Sequence, residues 1–220
     1  MRPDGSAHIA RMAAANPLSR SRPKPSSRTG VFASLMRNVS ALFLAVSGWK
    51  VEGDWPGDAD KAVLVAAPHT SNWDGWWMIL AAAFYRVKLR WMGKKSLVDN
   101  PFGWLIRWLG CVPVDRKAAS DIVEQTAAAF AQSDRLTLAV APEGTRSAAE
   151  EWKSGFYRIA VKARVPLIIS VLDYGTRTIR IAGVFQPTGD YDADLPLIRA
   201  YYADARGRHE SQFSMDAPPD

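Results

Sequence analysis

Apolar residues along this chain fall into blocks with two different periods. Residues 62–66 (Ala-Val-Leu-Val-Ala), 136–141 and 167–172 are short, near-continuous β-prone runs, the pattern of strands covered on both faces of a sheet. Residues 87–92, 111–114, 178–184 and the brief 49–53 complete the set of expected strands. Between them lie segments whose apolar positions predict helices, over 73–85, 101–109, 121–132, 155–163 and 192–206. Pro68 and Pro142 stop the strands before them, since proline donates no ladder hydrogen bond. Pro101 suits the first position of its helix, and Asp121 with Glu124 reads as a capping-box-like start for another. Strands alternating with helices predict an α/β fold, a single-domain layered structure with a mostly parallel sheet flanked by helices.

Ahead of the first strand, residues 31–47 form an apolar segment interrupted by Arg37 and Asn38. It falls short of the ~20 uncharged residues that a membrane-crossing helix requires. Val31, Phe32, Leu35, Val39, Leu42, Phe43 and Val46 recur on one side of a helix, with Ser34, Asn38 and Ala41 on the other. The domain is thus expected to be preceded by an amphipathic helix over 29–48. Two destinations fit its apolar side: the domain's own surface, or a bilayer interface.

The chain's 220 residues suit one domain with a sizeable core, here 49–206, and residues 207–220 are expected to fray. Its net charge of +6 sits at one end: residues 1–28 hold Arg2, Arg11, Arg20, Arg22, Lys24 and Arg28 against Asp4, which accounts for +5. The rest is close to neutral. That argues against a nucleic-acid-binding body, in which basic side chains crowd the face that meets phosphates. Residues 1–28, rich in Ser, Pro and Arg, are expected to be a disordered basic tail. A solvated leader, a transit segment and an attachment to anionic lipid all fit it. It lacks the apolar core and cleavage-type site of a secretory signal. The single cysteine, Cys111, fits a reducing, cytoplasmic setting. His8, His69 and His209 are too dispersed for a metal site.

Polar residues collect at the ends of the buried strands, the usual position of sites in open α/β sheets. After residues 62–66 comes Ala67-Pro-His-Thr-Ser-Asn-Trp-Asp-Gly75, which places His69 at a strand-to-helix junction, with Ser71 or Asn72 as helix cap. Asp74 lies about one turn inside the helix, where its carboxylate can fold back to an imidazole ahead of the first turn. Such a pairing fixes the imidazole tautomer and leaves the other ring nitrogen as a proton acceptor. A second cluster is Gly110-Cys-Val-Pro-Val-Asp-Arg116. A third is Ala141-Pro-Glu-Gly-Thr-Arg-Ser147: Gly144 lets the backbone approach a ligand, Thr145 and Ser147 offer hydroxyls, and Arg146 offers a planar fork suited to phosphate. Lys94, Lys95 and Lys153 are expected as surface cations near the mouth.

His-x4-Asp, Gly-x4-Asp-Arg, Pro-Glu-Gly-Thr-Arg and Val-Pro-Leu-Ile, in that order, resemble the four blocks of the glycerolipid acyltransferases, over residues 49–174. The resemblance implies that His69 is a general base and Asp74 its orienting partner. It also implies that Arg116, Glu143, Gly144, Thr145 and Arg146 build the acceptor site around a glycerol phosphate. Like charges repel, so Glu143 is expected to hold Arg146 or a glycerol hydroxyl and not the phosphate. Three departures stand out: Ala-Pro precedes the histidine where the family usually has Asn, a Phe before Pro142 is missing, and Ile169 replaces a second Pro. They point to a divergent branch whose acceptor need not be lysophosphatidic acid.

The expected reaction moves a fatty acyl group from a thioester, acyl-CoA or acyl carrier protein, to a hydroxyl of a lysophospholipid. No bound cofactor or metal is implied, and the expected location is cytoplasmic, peripheral to an anionic membrane surface. A non-catalytic lipid-binding protein is the alternative, though His69 and Asp74 are both present. A hydrolase using Ser71 or Cys111 is a weaker one, since no Gly-x-Ser-x-Gly elbow surrounds any serine. Trp73, Trp76, Trp77, Trp91, Trp104, Trp108 and Trp152 crowd these blocks. Core packing is expected for most of them, and an oily interface is the other use of an indole.

Overall fold

A computed structural model describes residues 30–114, 119–144, 152–209, 211 and 213. The basic tail expected over 1–28 lies outside these residues. Seven strands, β1 (Lys50–Glu52), β2 (Lys61–Ala67), β3 (Leu89–Lys94), β4 (Cys111–Val114), β5 (Leu136–Val140), β6 (Leu167–Asp173) and β7 (Thr178–Phe185), form one sheet in the order β1-β7-β6-β2-β5-β3-β4. Every adjacent pair is parallel except β6 and β7. The helices are α1 (Val31–Val46), α2 (Asn72–Phe84), α3 (Gly103–Trp108), α4 (Ala119–Gln132), α5 (Gly155–Ala163) and α6 (Tyr191–Arg199). The expected α/β layered fold with a mostly parallel sheet and a preceding helix is the observed one.

Side chains alternate along β2, and each face of the sheet buries its own core. Val63, Val65 and Ala67 join Val123, Phe130, Phe156, Ile159, Ile198 and Tyr202 under α4, α5 and α6. Ala62 and Leu64 face the other way, with Leu89 and Ile168. On that side α2 also contributes Trp77, Leu80 and Ala81 to a cluster with Leu44, Trp49 and Leu172. The register pairs Val65 with Val140 and Ala67 with Val171. The chain therefore leaves β5, β2 and β6 at one edge of the sheet, within about 10 Å, two strand spacings.

Several boundaries differ from expectation. Strand β3 begins at Leu89 because Arg86 takes a left-handed backbone (φ 58°) and the Val87 N–H closes the end of α2 on Ala82 O at 2.8 Å. Helix α3 begins at Gly103, past Pro101: the Asn100 side chain holds the preceding turn, accepting from the Phe102 N–H at 2.8 Å and donating to Leu97 O at 2.7 Å. Helix α4 begins at Ala119, which puts Asp121 inside its first turn and not at the cap. The last helix, expected over 192–206, stops at Arg199 and tightens into a 3₁₀ turn over Ala200–Tyr202. Tyr202 turns into the core there, its hydroxyl donating to Val65 O at 2.8 Å.

Helix α1 turns its apolar side away from the domain. It docks on α2 through its small and polar side: Ser40 is buried and donates to Leu80 O at 2.5 Å, and Arg86 Nη2 donates to Ser34 Oγ at 3.2 Å. Leu44 is the only large apolar residue of α1 that is buried. Val31, Phe32, Leu35, Val39, Leu42, Phe43 and Val46 all face outward, 45 to 88 % exposed. No helix among the described residues is long and apolar enough to cross a membrane.

Candidate active site

The site forms where β2 ends. The Ala67–Pro68 peptide is cis, and His69 and Thr70 follow before α2 starts. Ser71 caps α2: its hydroxyl accepts from the Trp73 N–H at 3.2 Å, and Asp74 returns the favour by accepting from the Ser71 N–H at 2.7 Å. The same Asp74 Oδ2 accepts from the Thr70 N–H at 2.7 Å and stands 3.3 Å from His69 Nδ1. The capping box thus does two jobs, ending the orphaned amides of the helix start and holding a carboxylate against the imidazole.

The Asp74 side chain is 4 % exposed and that of His69 is 31 % exposed. A carboxylate so buried is stable only when its lone pairs are satisfied. Its remaining oxygen, Oδ1, accepts from the Tyr174 hydroxyl at 2.6 Å. Burial pushes the Tyr174 hydroxyl up, the bond to Asp74 adds to that shift, and tyrosine stays a proton donor to the carboxylate. With Nδ1 engaged by Asp74, Nε2 is the ring nitrogen left to accept a proton.

Tyr174 has no role in the sequence reading, yet it completes this arrangement. It sits in the turn between β6 and β7, against Trp49 in an edge-on contact at 5.0 Å. Asp173 builds the turn by accepting from the Gly175 N–H at 2.9 Å and the Thr176 hydroxyl at 2.6 Å. The sequence marks Tyr174 only as a polar residue just past a buried strand; that this strand lies beside β2 is visible in the fold alone.

Glu143 comes from the end of β5. Its Oε1 accepts from the His69 backbone N–H at 2.9 Å, so it steadies the turn that carries the imidazole. Burial pushes its carboxyl up to about 6, against the hydrogen bonds from its own and His69's amides, which lower it. Gly144 has φ of +65°, a left-handed conformation that favours glycine. The space beside it is filled by this protein's own Lys153, whose Cδ would lie 2.8 Å from an added Cβ. Arg116, Thr145 and Arg146 lie outside the described residues. Strand β4, which precedes Arg116, ends on the same sheet edge, three strands from β2.

The tryptophans are distributed unlike the expectation of a mostly buried set. Trp77 and Trp152 are buried, whereas Trp73, Trp76, Trp104 and Trp108 are 42 to 67 % exposed. Trp76 meets Phe43 of α1 edge-on at 5.9 Å. Residues 207–209, expected to begin a frayed tail, pack on the site: Gly207 is buried, and the His209 N–H donates to Thr70 Oγ1 at 3.3 Å.

Comparison with known proteins places the chain in a family. A curated relative, the 1-acyl-sn-glycerol-3-phosphate acyltransferase of Streptococcus pneumoniae (strain ATCC BAA-255 / R6), is 29 % identical over 147 residues, 63 % of this chain and 53 % of that protein. The chain therefore spans about half the length of that relative. The crystal structure of the 1-acyl-sn-glycerophosphate (LPA) acyltransferase PlsC from Thermotoga maritima superposes with a TM-score of 0.50 at 19 % identity, covering 77 % of this chain and 75 % of that one. At that identity the likeness speaks to the fold. The Acyltransferase family model matches residues 48–172, a span that holds β1 to β5, all of β6 but its last residue, and His69, Asp74 and Glu143; this chain belongs to the acyltransferase family.

Proposed function

We propose that the protein transfers a fatty acyl group from a thioester, on coenzyme A or acyl carrier protein, to a hydroxyl of a lysophospholipid or related glycerol phosphate acceptor. The observation that carries this reading is the contact between His69 Nδ1 and the buried Asp74 carboxylate, which leaves Nε2 available beside a sheet edge. His69 Nε2 takes the acceptor's hydroxyl proton as that oxygen attacks the thioester carbonyl carbon. Asp74 then stabilises the imidazolium. When the tetrahedral intermediate collapses, the C–S bond breaks and the imidazolium returns the proton to the thiolate, giving an ester and a free thiol. No covalent enzyme intermediate is needed, because the two substrates react directly once held together.

In this reading Tyr174 is a positioning residue that fixes Asp74, and Glu143 positions His69 through its backbone. Arg116, Gly144, Thr145 and Arg146 hold the glycerol phosphate. The outward apolar side of α1, continued by Trp76, lies in the interface of an anionic membrane, from which an oily acceptor is drawn. Purified protein assayed with labelled acyl-CoA and acyl-loaded carrier protein against a panel of lysolipids tests the proposal. Acyl ester formation with at least one acceptor is expected. Thioester loss matched by free fatty acid would favour a hydrolase, and no turnover with any pair would favour a lipid-binding role.

A further inference from the structure

Residues 206–209 run from the β6–β7 turn to the turn that carries His69, anchored at both ends. The Tyr174 N–H donates to the Arg206 carbonyl at 2.9 Å, and the Arg206 N–H donates to Asp173 Oδ1 at 3.0 Å. On the other side the His209 N–H donates to Thr70 Oγ1 at 3.3 Å. Gly207 lies between these anchors so close to the His69 turn that an added Cβ would come within 2.9 Å of Thr70 Oγ1 and 3.4 Å of Pro68 Cβ. A side chain has no room there. The residue that follows is therefore delivered to a defined place beside the turn that carries His69.

That residue is Arg208. Its guanidinium carbon lies 5.4 Å from the centre of the Trp73 ring, and Trp73 directly precedes Asp74 in the first turn of α2. Burial and the bond to Asp74 push the Tyr174 hydroxyl up, and the Arg208 charge opposes them, so that charge is felt at the hydroxyl that holds Asp74. The ion pairs among the described residues join His69 to Asp74, Arg135 to Asp60 and Lys162 to Glu124, and none includes Arg208. Asp74 is already engaged by His69, Thr70, Ser71 and Tyr174. Cation–π attraction to an indole takes up no N–H hydrogen bond, so the guanidinium keeps its donors for another partner. Arg208 is exposed, so a solvent-borne ligand can reach it.

We infer that Arg208 is a phosphate-binding residue of the acyl-transfer site, an arginine fork held over Trp73 and supplied by the segment after the last helix. The inference rests on the acyl-transfer reading for its ligand: both the glycerol phosphate acceptor and the pantetheine-bearing donor carry phosphate. A phosphate oxygen pair accepts two parallel N–H bonds from such a fork, which a lysine cannot reproduce.

The test is calorimetric binding of glycerol phosphate and of coenzyme A to the full chain, in wild type, Arg208→Ala, Arg208→Lys and Trp73→Leu. Arg208→Ala is expected to weaken one of the two ligands by roughly ten- to a hundredfold, the range of a charge-assisted hydrogen bond. Arg208→Lys should recover only part of that, and Trp73→Leu, which removes the platform, should lose part of it. A loss confined to glycerol phosphate assigns Arg208 to the acceptor, and one confined to coenzyme A assigns it to the donor. Wild-type affinity for both ligands in Arg208→Ala, or binding of neither by the wild type, overturns the inference. Binding is read without turnover, so a protein that grips phosphate through Arg208 yet transfers no acyl group would sink the acyl-transfer reading and leave this one standing.

Discussion

Helices α1 and α5 are both amphipathic, yet they use their apolar sides in opposite ways. Helix α5 turns Phe156, Tyr157, Ile159 and Ala160 into the core beneath the sheet. Helix α1 buries Ser40 and Leu44 and turns its larger side chains outward. The difference follows from what each helix meets. The sheet offers α5 a broad apolar face, whereas α2 meets α1 at a close crossing where the small Ser40 hydroxyl donates to the Leu80 carbonyl. Periodicity therefore shows that a helix has two sides without showing which side the protein itself will cover. An apolar side left uncovered by the fold is a surface for another apolar phase.

Paired truncations put the sharpest pressure on this comparison. Phe156 is fully buried, so Phe156→Ala is expected to cost about 3 to 5 kcal/mol of stability. Phe32 is 62 % exposed, and Phe32→Ala is expected to stay within ~0.5 kcal/mol of wild type in the same denaturant titration. Similar losses for the two would mean that α1 is covered by protein after all.

Membrane affinity should reverse the ranking. Leu42→Ser is expected to weaken binding to anionic vesicles by roughly tenfold or more, since burying one Leu side chain contributes about 1.5 to 3 kcal/mol. Co-sedimentation at low and high salt separates this apolar part from any electrostatic attraction. Undiminished binding would move the contact to exposed Trp104 and Trp108 on α3.

The inner region has a pH signature that α1 lacks. The Glu143 carboxyl is raised from an ordinary 4.5 to about 6 by burial. The folded protein therefore holds more protons than the unfolded chain between those values, and stability should fall as pH rises through that window. The contribution is present below about 4.5 and lost above about 6, with a ceiling of ~2 kcal/mol. Stability measured at pH 4.5 and 6.5 in wild type and Glu143→Gln checks it; the variant should show a flatter profile, and an unchanged profile would remove Glu143 as the cause.

Much of the fold was legible because buried strands announce themselves through local pattern: the cores of 62–66, 136–141 and 167–172 fall in β2, β5 and β6. The His69–Asp74 pairing was legible for the same reason, since both residues lie within one turn of a helix start. What pattern could not supply was set by pairing across the sheet. Tyr174 reaches Asp74 across 100 positions only because β6 lies beside β2. Residues 207–209 read as a polar tail because nothing local marks their docking on Thr70, and the Asp121 cap failed because α4 starts two residues earlier.

The most direct measurement compares acyl transfer by wild type and His69→Ala, with a melting curve for each. The account predicts a fall of about 10²- to 10⁴-fold in turnover, the contribution of a positioned general base, with melting little changed because the imidazole sits part-exposed at a helix start. Near wild-type turnover in a normally folded His69→Ala protein would contradict it.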